Sequence, residues 1–189
     1  YRPTFFEQVT AIALVAFAEA KVELAILETG LGGRLDATTA ANAEIVAITR
    51  IDLDHQEYLG ETLAEIAAEK AAIIQEHTKA VIIGEQEPEV MKVIEERVSK
   101  FIFNFWNDIE YEVHRTSRVE ESFDTEPFNS NKLGIKGHHQ IENSKIAIMI
   151  AAVLRNQFQI ENKQILAGLE NARHPGRLEY SGRYLFDGA

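Results

Sequence analysis

Two helix-opening signatures and three short β-rich runs, spaced in alternation, dictate most of what this chain can become. Thr4-Phe5-Phe6-Glu7 has the spacing of a capping box, in which the Thr hydroxyl accepts the amide three residues on and the Glu carboxylate reaches back to the Thr amide. An apolar stretch follows, so a helix is predicted to about residue 20. Thr62-Leu63-Ala64-Glu65 repeats the spacing and predicts a helix to about residue 75. Residues 22–27, 44–49 and 79–83 are rich in Val, Ile and Leu and read as strands. Strands that alternate with helices of this length join through crossovers. The expected fold class is therefore α/β, with a mostly parallel sheet flanked by helices.

Further helices are predicted over residues 88–100, 140–155 and 162–171; the second carries a broad apolar face of Ile, Ala, Met, Val and Leu. Residues 101–128 mix aromatic and charged side chains and show no secure topology. His174-Pro175-Gly176-Arg177 breaks the pattern, and residues 178–181 and 183–186 read as strands beyond it. The expected organisation is a partial central domain over residues 1–173, followed by a linker and the first strand of another domain over 174–189.

With 189 residues, 46% of them hydrophobic, the chain has enough apolar material for a core. A formal charge of -11 argues against a nucleic-acid partner and against an anionic membrane surface, since a broadly negative protein is repelled by both. The longest apolar run, residues 9–20, is interrupted by Thr10 and Glu19 and is shorter than the roughly 20 residues a membrane span requires. The absence of cysteine excludes disulfides, thiolate zinc sites and cysteine nucleophiles, and it fits a reducing cytoplasm. The chain opens without Met, and a truncated amino terminus is expected.

Five constellations could carry chemistry. Glu28-Thr29-Gly30-Leu31-Gly32-Gly33-Arg34-Leu35-Asp36 is expected at the carboxyl end of the first strand, where open parallel sheets bind ligands and where glycines admit a phosphate or metal close to the backbone. Read alone, it is equally a turn with a solvated Glu. Asp52-Leu53-Asp54-His55 follows the next strand and offers either a hard-metal site, an acid/base pair, or a solvent-exposed loop. Lys70 falls at helical spacing inside the apolar arc of Leu63, Ile66, Ala67, Ile73 and Ile74. A lysine there must pair, snorkel or lose its charge. Gly137-His138-His139-Gln140-Ile141-Glu142-Asn143 opens the long helix, where free amides suit an anion and the side-chain amides suit a nucleobase edge; an ordinary polar first turn looks the same. Arg177, after Pro175-Gly176, is placed to reach a phosphate or to lie exposed on a hinge.

Together these segments resemble the folylpolyglutamate synthase/dihydrofolate synthase family of the Mur ligase group. The resemblance is carried by Thr4-Phe5-Phe6-Glu7, by Leu27-Glu28-Thr29-Gly30-Leu31-Gly32-Gly33-Arg34-Leu35-Asp36-Ala37-Thr38 and by Ile48-Thr49 through Asp54-His55. It continues in Leu59-Gly60-Glu61-Thr62, Ile66-Ala67-Ala68-Glu69-Lys70-Ala71, the segment 137–143 and Pro175-Gly176-Arg177-Leu178-Glu179. The resemblance implies that Glu28 and His55 ligate Mg2+ and that Lys70 is carbamylated to add a carboxylate beside the metal. It also implies that Gln140 and Asn143 face the adenine of ATP, that Arg177 meets the phosphates, and that Asp187 lies on the ribose side. In that family ATP phosphorylates a pterin-linked carboxylate of folate or dihydropteroate, and the amine of L-glutamate then attacks the acyl phosphate.

The chain departs from the family pattern in four places. It contains no Gly-x-x-x-x-Gly-Lys-[Ser/Thr] loop, which the family carries upstream of the matched segment, and the usual Asp-Gly-Ala-His-Asn is cut after Ala189. Ala72 stands where glycine is usual, and Arg50-Ile51-Asp52 replaces Ser-Ile-Gly. By itself the polypeptide is expected to be inactive. Two rivals are a Mur-type peptidoglycan ligase, disfavoured by the segment 30–38, and a non-catalytic binding module on the same fold.

Overall fold

The structure, a computed structural model, describes residues 2–102, 112–115, 132–175, 179–181 and 184–186. In chain order the elements are α1 (Phe5–Ala20), a 3-10 turn (Ala37–Ala41), β1 (Ile45–Ile48), α2 (Gln56–Leu59), α3 (Leu63–Ala71), β2 (Ala80–Ile83), α4 (Pro88–Ile102), β3 (Glu112–Arg115), α5 (His138–Phe158), α6 (Asn162–Asn171), β4 (Glu179–Ser181) and β5 (Tyr184–Phe186).

Both capping boxes form. At α1 the Thr4 amide donates to Glu7 Oε2 at 2.6 Å and the Glu7 amide to Thr4 Oγ1 at 3.2 Å. At α3 the Thr62 amide donates to Glu65 Oε2 at 3.0 Å and the Glu65 amide to Thr62 Oγ1 at 3.2 Å. Each box satisfies amides that a helix start leaves without intrahelical acceptors. Helix α3 stops earlier than its periodicity predicts. Beyond Ala71 the amides of Ile73 and Ile74 turn to the carbonyls of Lys70 and Ala71, three residues back, which tightens the last turn. The Arg97 guanidinium then takes the carbonyls of Ile74 (2.8 and 3.1 Å) and Ala72 (3.3 Å), so two acceptors just past the helix end are paired.

Strands β1, β2 and β3 form one sheet in that order. β2 and β3 run parallel, with Ala80 opposite Glu112 and Ile83 opposite Arg115. Beside β1, the Lys79 amide donates to Glu44 O at 2.7 Å and the Gly84 amide to Ile48 O at 2.9 Å. The partners advance together along both strands, so this pair is parallel as well. β2 is buried along its whole length, as the unbroken run Ala80-Val81-Ile82-Ile83 suits in a strand covered on both faces. β4 and β5 pair antiparallel. The α/β class with a parallel sheet and helices packed beside it is therefore the one observed.

The chain divides into two compact units. The first comprises Tyr1–Val46, Ile51–Lys79 and Glu87–Tyr111. Here α3 packs on α4, and the fully buried Ile66, Ala67, Ala71, Val90 and Ile94 are its core. The second comprises Ala47–Arg50, Ala80–Gln86 and Glu112–Ala189. In it α5 lies on β2 and α6 on α5, and Ile146, Ile148, Met149, Leu154 and Ile165 are buried.

One predicted strand is absent. Residues 22–27 are irregular, and Val22, Leu24 and Ile26 remain 44%, 48% and 86% exposed. β propensity expresses packing on a pleated neighbour, and among the described residues no strand runs beside this segment. Glu28 therefore follows an irregular segment, not a strand end.

Candidate functional site

In the first unit, the glycine-rich loop after residue 27 is held by the carboxylate of Asp36. Its Oδ2 accepts the amides of Gly30 and Leu31, both at 2.9 Å, and its Oδ1 accepts the Thr38 amide at 2.9 Å and the Thr38 hydroxyl at 2.5 Å. Partial burial pushes the Asp36 pKa up, but the hydrogen bonds from Thr38, Leu31 and Gly30 together outweigh it, so the carboxyl titrates below its ordinary value. Asp36 is thus an anion that caps the 3-10 turn and folds the loop back on itself.

The loop is also fastened to its neighbours. Arg34 Nε donates to both oxygens of Glu69, at 2.9 and 3.2 Å, and the Arg34 amide donates to Glu69 O at 3.1 Å. Gly33 makes this approach possible: a Cβ there would lie 2.6 Å from Ile73 Cγ2 and 2.8 Å from the carbonyl oxygens of Glu69 and Lys70. A Cβ on Gly32 would meet Leu59 Cδ2 at 2.9 Å, and one on Gly30 would meet the ring of Phe6. The loop that follows Glu28 therefore touches α2, whose first cap is His55, and the last turn of α3, which carries Lys70.

Of the three residues expected at the metal, Glu28 and His55 are exposed and Lys70 is half-buried, and all three belong to the first unit. His55 occupies the left-handed region at φ 50, which few non-glycine residues adopt, and its side chain makes no capping bond to α2. Backbone strain of this kind is a feature of ligand sites as well as turns. His55 Nε2 lies 3.5 Å from Asp54 Oδ2. Lys70 has no side-chain partner among the described residues. Nor do three acidic or imidazole side chains gather there as a ready-made metal site. Magnesium commonly binds through one or two carboxylates and completes its shell with water and phosphate oxygens, so Glu28 fits that ion. The His55 imidazole is a softer donor than such an ion prefers, and Lys70 could ligate only as a carbamate, not as an ammonium.

In the second unit, a cavity of about 220 Å³ opens beside the first turn of α5. Its walls are chiefly apolar: Leu133 and Ile135 from the loop before α5, Ala147 from α5, and Leu169 and Ala172 from the end of α6. Gln140, Asn143 and Ser144 supply its polar groups. Pockets that enclose a whole drug-sized ligand run to about 300–1,000 Å³, so this one suits a single flat ring system. The Asn143 Nδ2 donates to Gln140 Oε1 at 3.1 Å, and the Ser144 hydroxyl is turned to Ile141 O at 2.6 Å. The loop is strapped to α6 at Gly134, whose amide donates to Leu169 O at 2.9 Å; a Cβ there would collide with Ala172 O and the Arg173 guanidinium.

The structure thus brings Gln140 and Asn143 together on one cavity wall. Arg177 and Asp187 lie outside the described residues. Asp36 and Arg34 stood inside the quoted motif without a role, and the spacing Asp-x-Thr, a side-chain cap, is the local signal that points to Asp36. Arg97 and the apolar walls Leu133, Ile135, Leu169 and Ala172 had no local signal at all, because they act only after distant segments meet.

A parallel α/β sheet with a glycine-rich loop in one unit and an amide-edged apolar cavity in the other is the arrangement of a known class. Residues 2–151 match the Mur ligase middle domain, and the chain belongs to that family. The resemblance to its folylpolyglutamate synthase/dihydrofolate synthase members holds. The dihydrofolate synthase/folylpolyglutamate synthase of Bacillus subtilis is 36% identical over 188 residues, which cover 94% of this chain and 44% of that protein. The folylpolyglutamate synthase of Mycobacterium tuberculosis, solved with ADP and AMPPCP, superposes with a TM-score of 0.75 at 31% identity over 97% of this chain and 44% of that one. An FPGS–AMPPCP–folate complex gives 0.81 at 26% identity over 100% of this chain and 49% of the other. The chain spans about half the length of these relatives or somewhat less.

Proposed function

We propose that this chain is the part of an ATP-dependent ligase that binds the nucleotide base and the metal, and that the complete protein joins L-glutamate to a folate or dihydropteroate carboxylate through an acyl phosphate. The observation that carries the reading is the cavity beside α5, whose apolar walls and two side-chain amides match a purine ring with a polar edge. Relatives of the same fold have been solved with AMPPCP, and one with folate, which supports ATP and a folate as ligands. Gln140 and Asn143 take the adenine edge; Arg177 and Asp187 are assigned to the phosphates and the ribose side.

In the first unit Glu28 and His55 hold Mg2+, and Lys70, half-buried and without a side-chain partner among the described residues, becomes a carbamate that adds negative charge beside it. When bound, the metal offsets charge on the transferred phosphoryl group. The loop's own contribution is rigidity: Asp36 and the Arg34–Glu69 pair fix the backbone from which Glu28 projects. Among the described residues no helix is long and apolar enough to cross a membrane. The assignment to the cytoplasm rests instead on the likeness to the dihydrofolate synthase/folylpolyglutamate synthases.

The test is a ligase assay of the gene product that carries this chain, with dihydropteroate and tetrahydrofolate in parallel and with Glu28→Ala, His55→Ala and Lys70→Ala. Each substitution should lower turnover while the thermal midpoint moves little. Wild-type rates in all three would refute the metal assignment, and absence of glutamate transfer to either pterin by the unmodified protein would refute the reaction.

A further inference from the structure

Most of the apolar wall of the cavity beside α5 converges on one glycine. Leu133 and Ile135 flank Gly134 in the strap that leads into α5, and Leu169 and Ala172 stand across from it at the end of α6. The Gly134 amide donates to Leu169 O at 2.9 Å. A Cβ on Gly134 would lie 2.5 Å from Glu170 O and closer still to Ala172 O and Arg173 Nη1. Two of these atoms are backbone oxygens, and Arg173 Nη1 donates to both of them, at 3.1 and 2.7 Å. The three atoms therefore form a single fixed seat. On the other side of Gly134, Lys136 Nζ donates to Leu133 O at 2.7 Å and closes the strap into a turn.

Only a residue without a side chain can enter that seat. Carbon atoms pack comfortably at about 3.5–4.0 Å, so a methyl group at position 134 would part the strap from α6 by roughly 1 Å. Leu133 and Ile135 would move with the strap, while Leu169 and Ala172 stay with α6. The four walls would then no longer match one flat ring. A wall displaced outward by about 0.5–1 Å forfeits about a quarter to a half of its dispersion attraction, and a wall displaced inward leaves no room for the ring.

We propose that Gly134 is a positioning residue for the nucleotide base: it seats the strap against the end of α6 and so sets the spacing of the apolar walls that hold the ring. The proposal rests on the cavity's being the base site. Gly134 acts only through its neighbours, because its amide is already engaged by Leu169 O.

The experiment uses calorimetry on the gene product that carries this chain and on its Gly134→Ala and Lys136→Met variants, with far-UV circular dichroism as a check on folding. The ligands are ATP and inorganic tripolyphosphate, which has no base. Gly134→Ala should weaken ATP binding by about three- to tenfold and leave tripolyphosphate as in the wild type. Lys136→Met unbraces the strap without filling the seat, and it should weaken ATP in the same selective way by a smaller factor. A folded Gly134→Ala protein that binds ATP as the wild type does, or that loses affinity for both ligands together, overturns the positioning role. If Gly134→Ala does not fold, Lys136→Met decides: a selective loss of ATP affinity supports the role, and a wild-type ATP affinity overturns it. Undiminished ATP affinity in Ala147→Phe, which fills the cavity from α5, overturns the base-site reading and this proposal with it.

Discussion

Replacing Gly33 by Ala puts a methyl group into the tightest contact of the candidate metal loop. The new carbon would sit 2.6 Å from Ile73 Cγ2 and 2.8 Å from two carbonyl oxygens, of Glu69 and Lys70. Carbon atoms pack comfortably at about 3.5–4.0 Å, so the overlap is roughly 1 Å. The Ile73 side chain can rotate, but the oxygens belong to the last turn of α3 and cannot move without unwinding it. The loop must shift instead, and a shift of that size breaks the Arg34 amide bond to Glu69 O, now 3.1 Å. Overpacking costs about 1–3 kcal/mol and the lost bond about 1 kcal/mol, giving a loss of about 2–4 kcal/mol. For a chain of this size that lowers the thermal midpoint by about 10 °C. Gly168, inside α6, is the matched control because a Cβ there meets nothing within 4 Å. Gly168→Ala should stabilise by about 0.5–1 kcal/mol through helix propensity. Thermal and urea unfolding of both variants decides the matter. A Gly33→Ala protein at or above the wild-type midpoint would refute the close-approach argument.

Three further outcomes follow from other contacts. Asp36 has a folded pKa below its unfolded value, so its contribution is present above roughly pH 4 and is lost as the pH falls through the folded value; urea midpoints of wild type and Asp36→Asn should differ at pH 7 and converge at pH 3, and a gap unchanged over that range would contradict this. Arg97→Met keeps the aliphatic stem but removes the bonds to Ile74 O and Ala72 O and the cation held 4.8 Å from the Phe101 ring. It should cost about 1–3 kcal/mol in urea unfolding, with Arg97→Lys recovering only part because an ammonium lacks the planar fork. Ala147→Phe fills the cavity beside α5 and should abolish ATP binding measured by calorimetry while far-UV circular dichroism stays as in the wild type.

Everything that depends on neighbours along the chain was legible from the residues in order. The hydroxyl and carboxylate of Thr4 and Glu7, and of Thr62 and Glu65, are three positions apart, and that spacing alone brings side chain to amide once a helix starts. The Val- and Ile-rich run over residues 79–83 announced a strand, and the alternation of such strands with helices announced a parallel sheet. Glu28, His55, Lys70, Gln140 and Asn143 could be nominated because each sits in a quoted motif.

Contacts between remote segments were decided only by the fold. Residues 22–27 have a strand's composition, yet a strand exists only where a second backbone offers its amides and carbonyls, and no described strand lies there. Just past the end of α3, the carbonyls of Ala72 and Ile74 are taken by Arg97, more than twenty residues later in the chain. The cavity combines a loop, the first turns of α5 and the end of α6, so Leu133 and Ala172 become its walls through tertiary approach and not through any pattern of their own. Hydrogen bonding within a few residues is encoded by spacing. Packing across tens of residues depends on which surfaces finally meet.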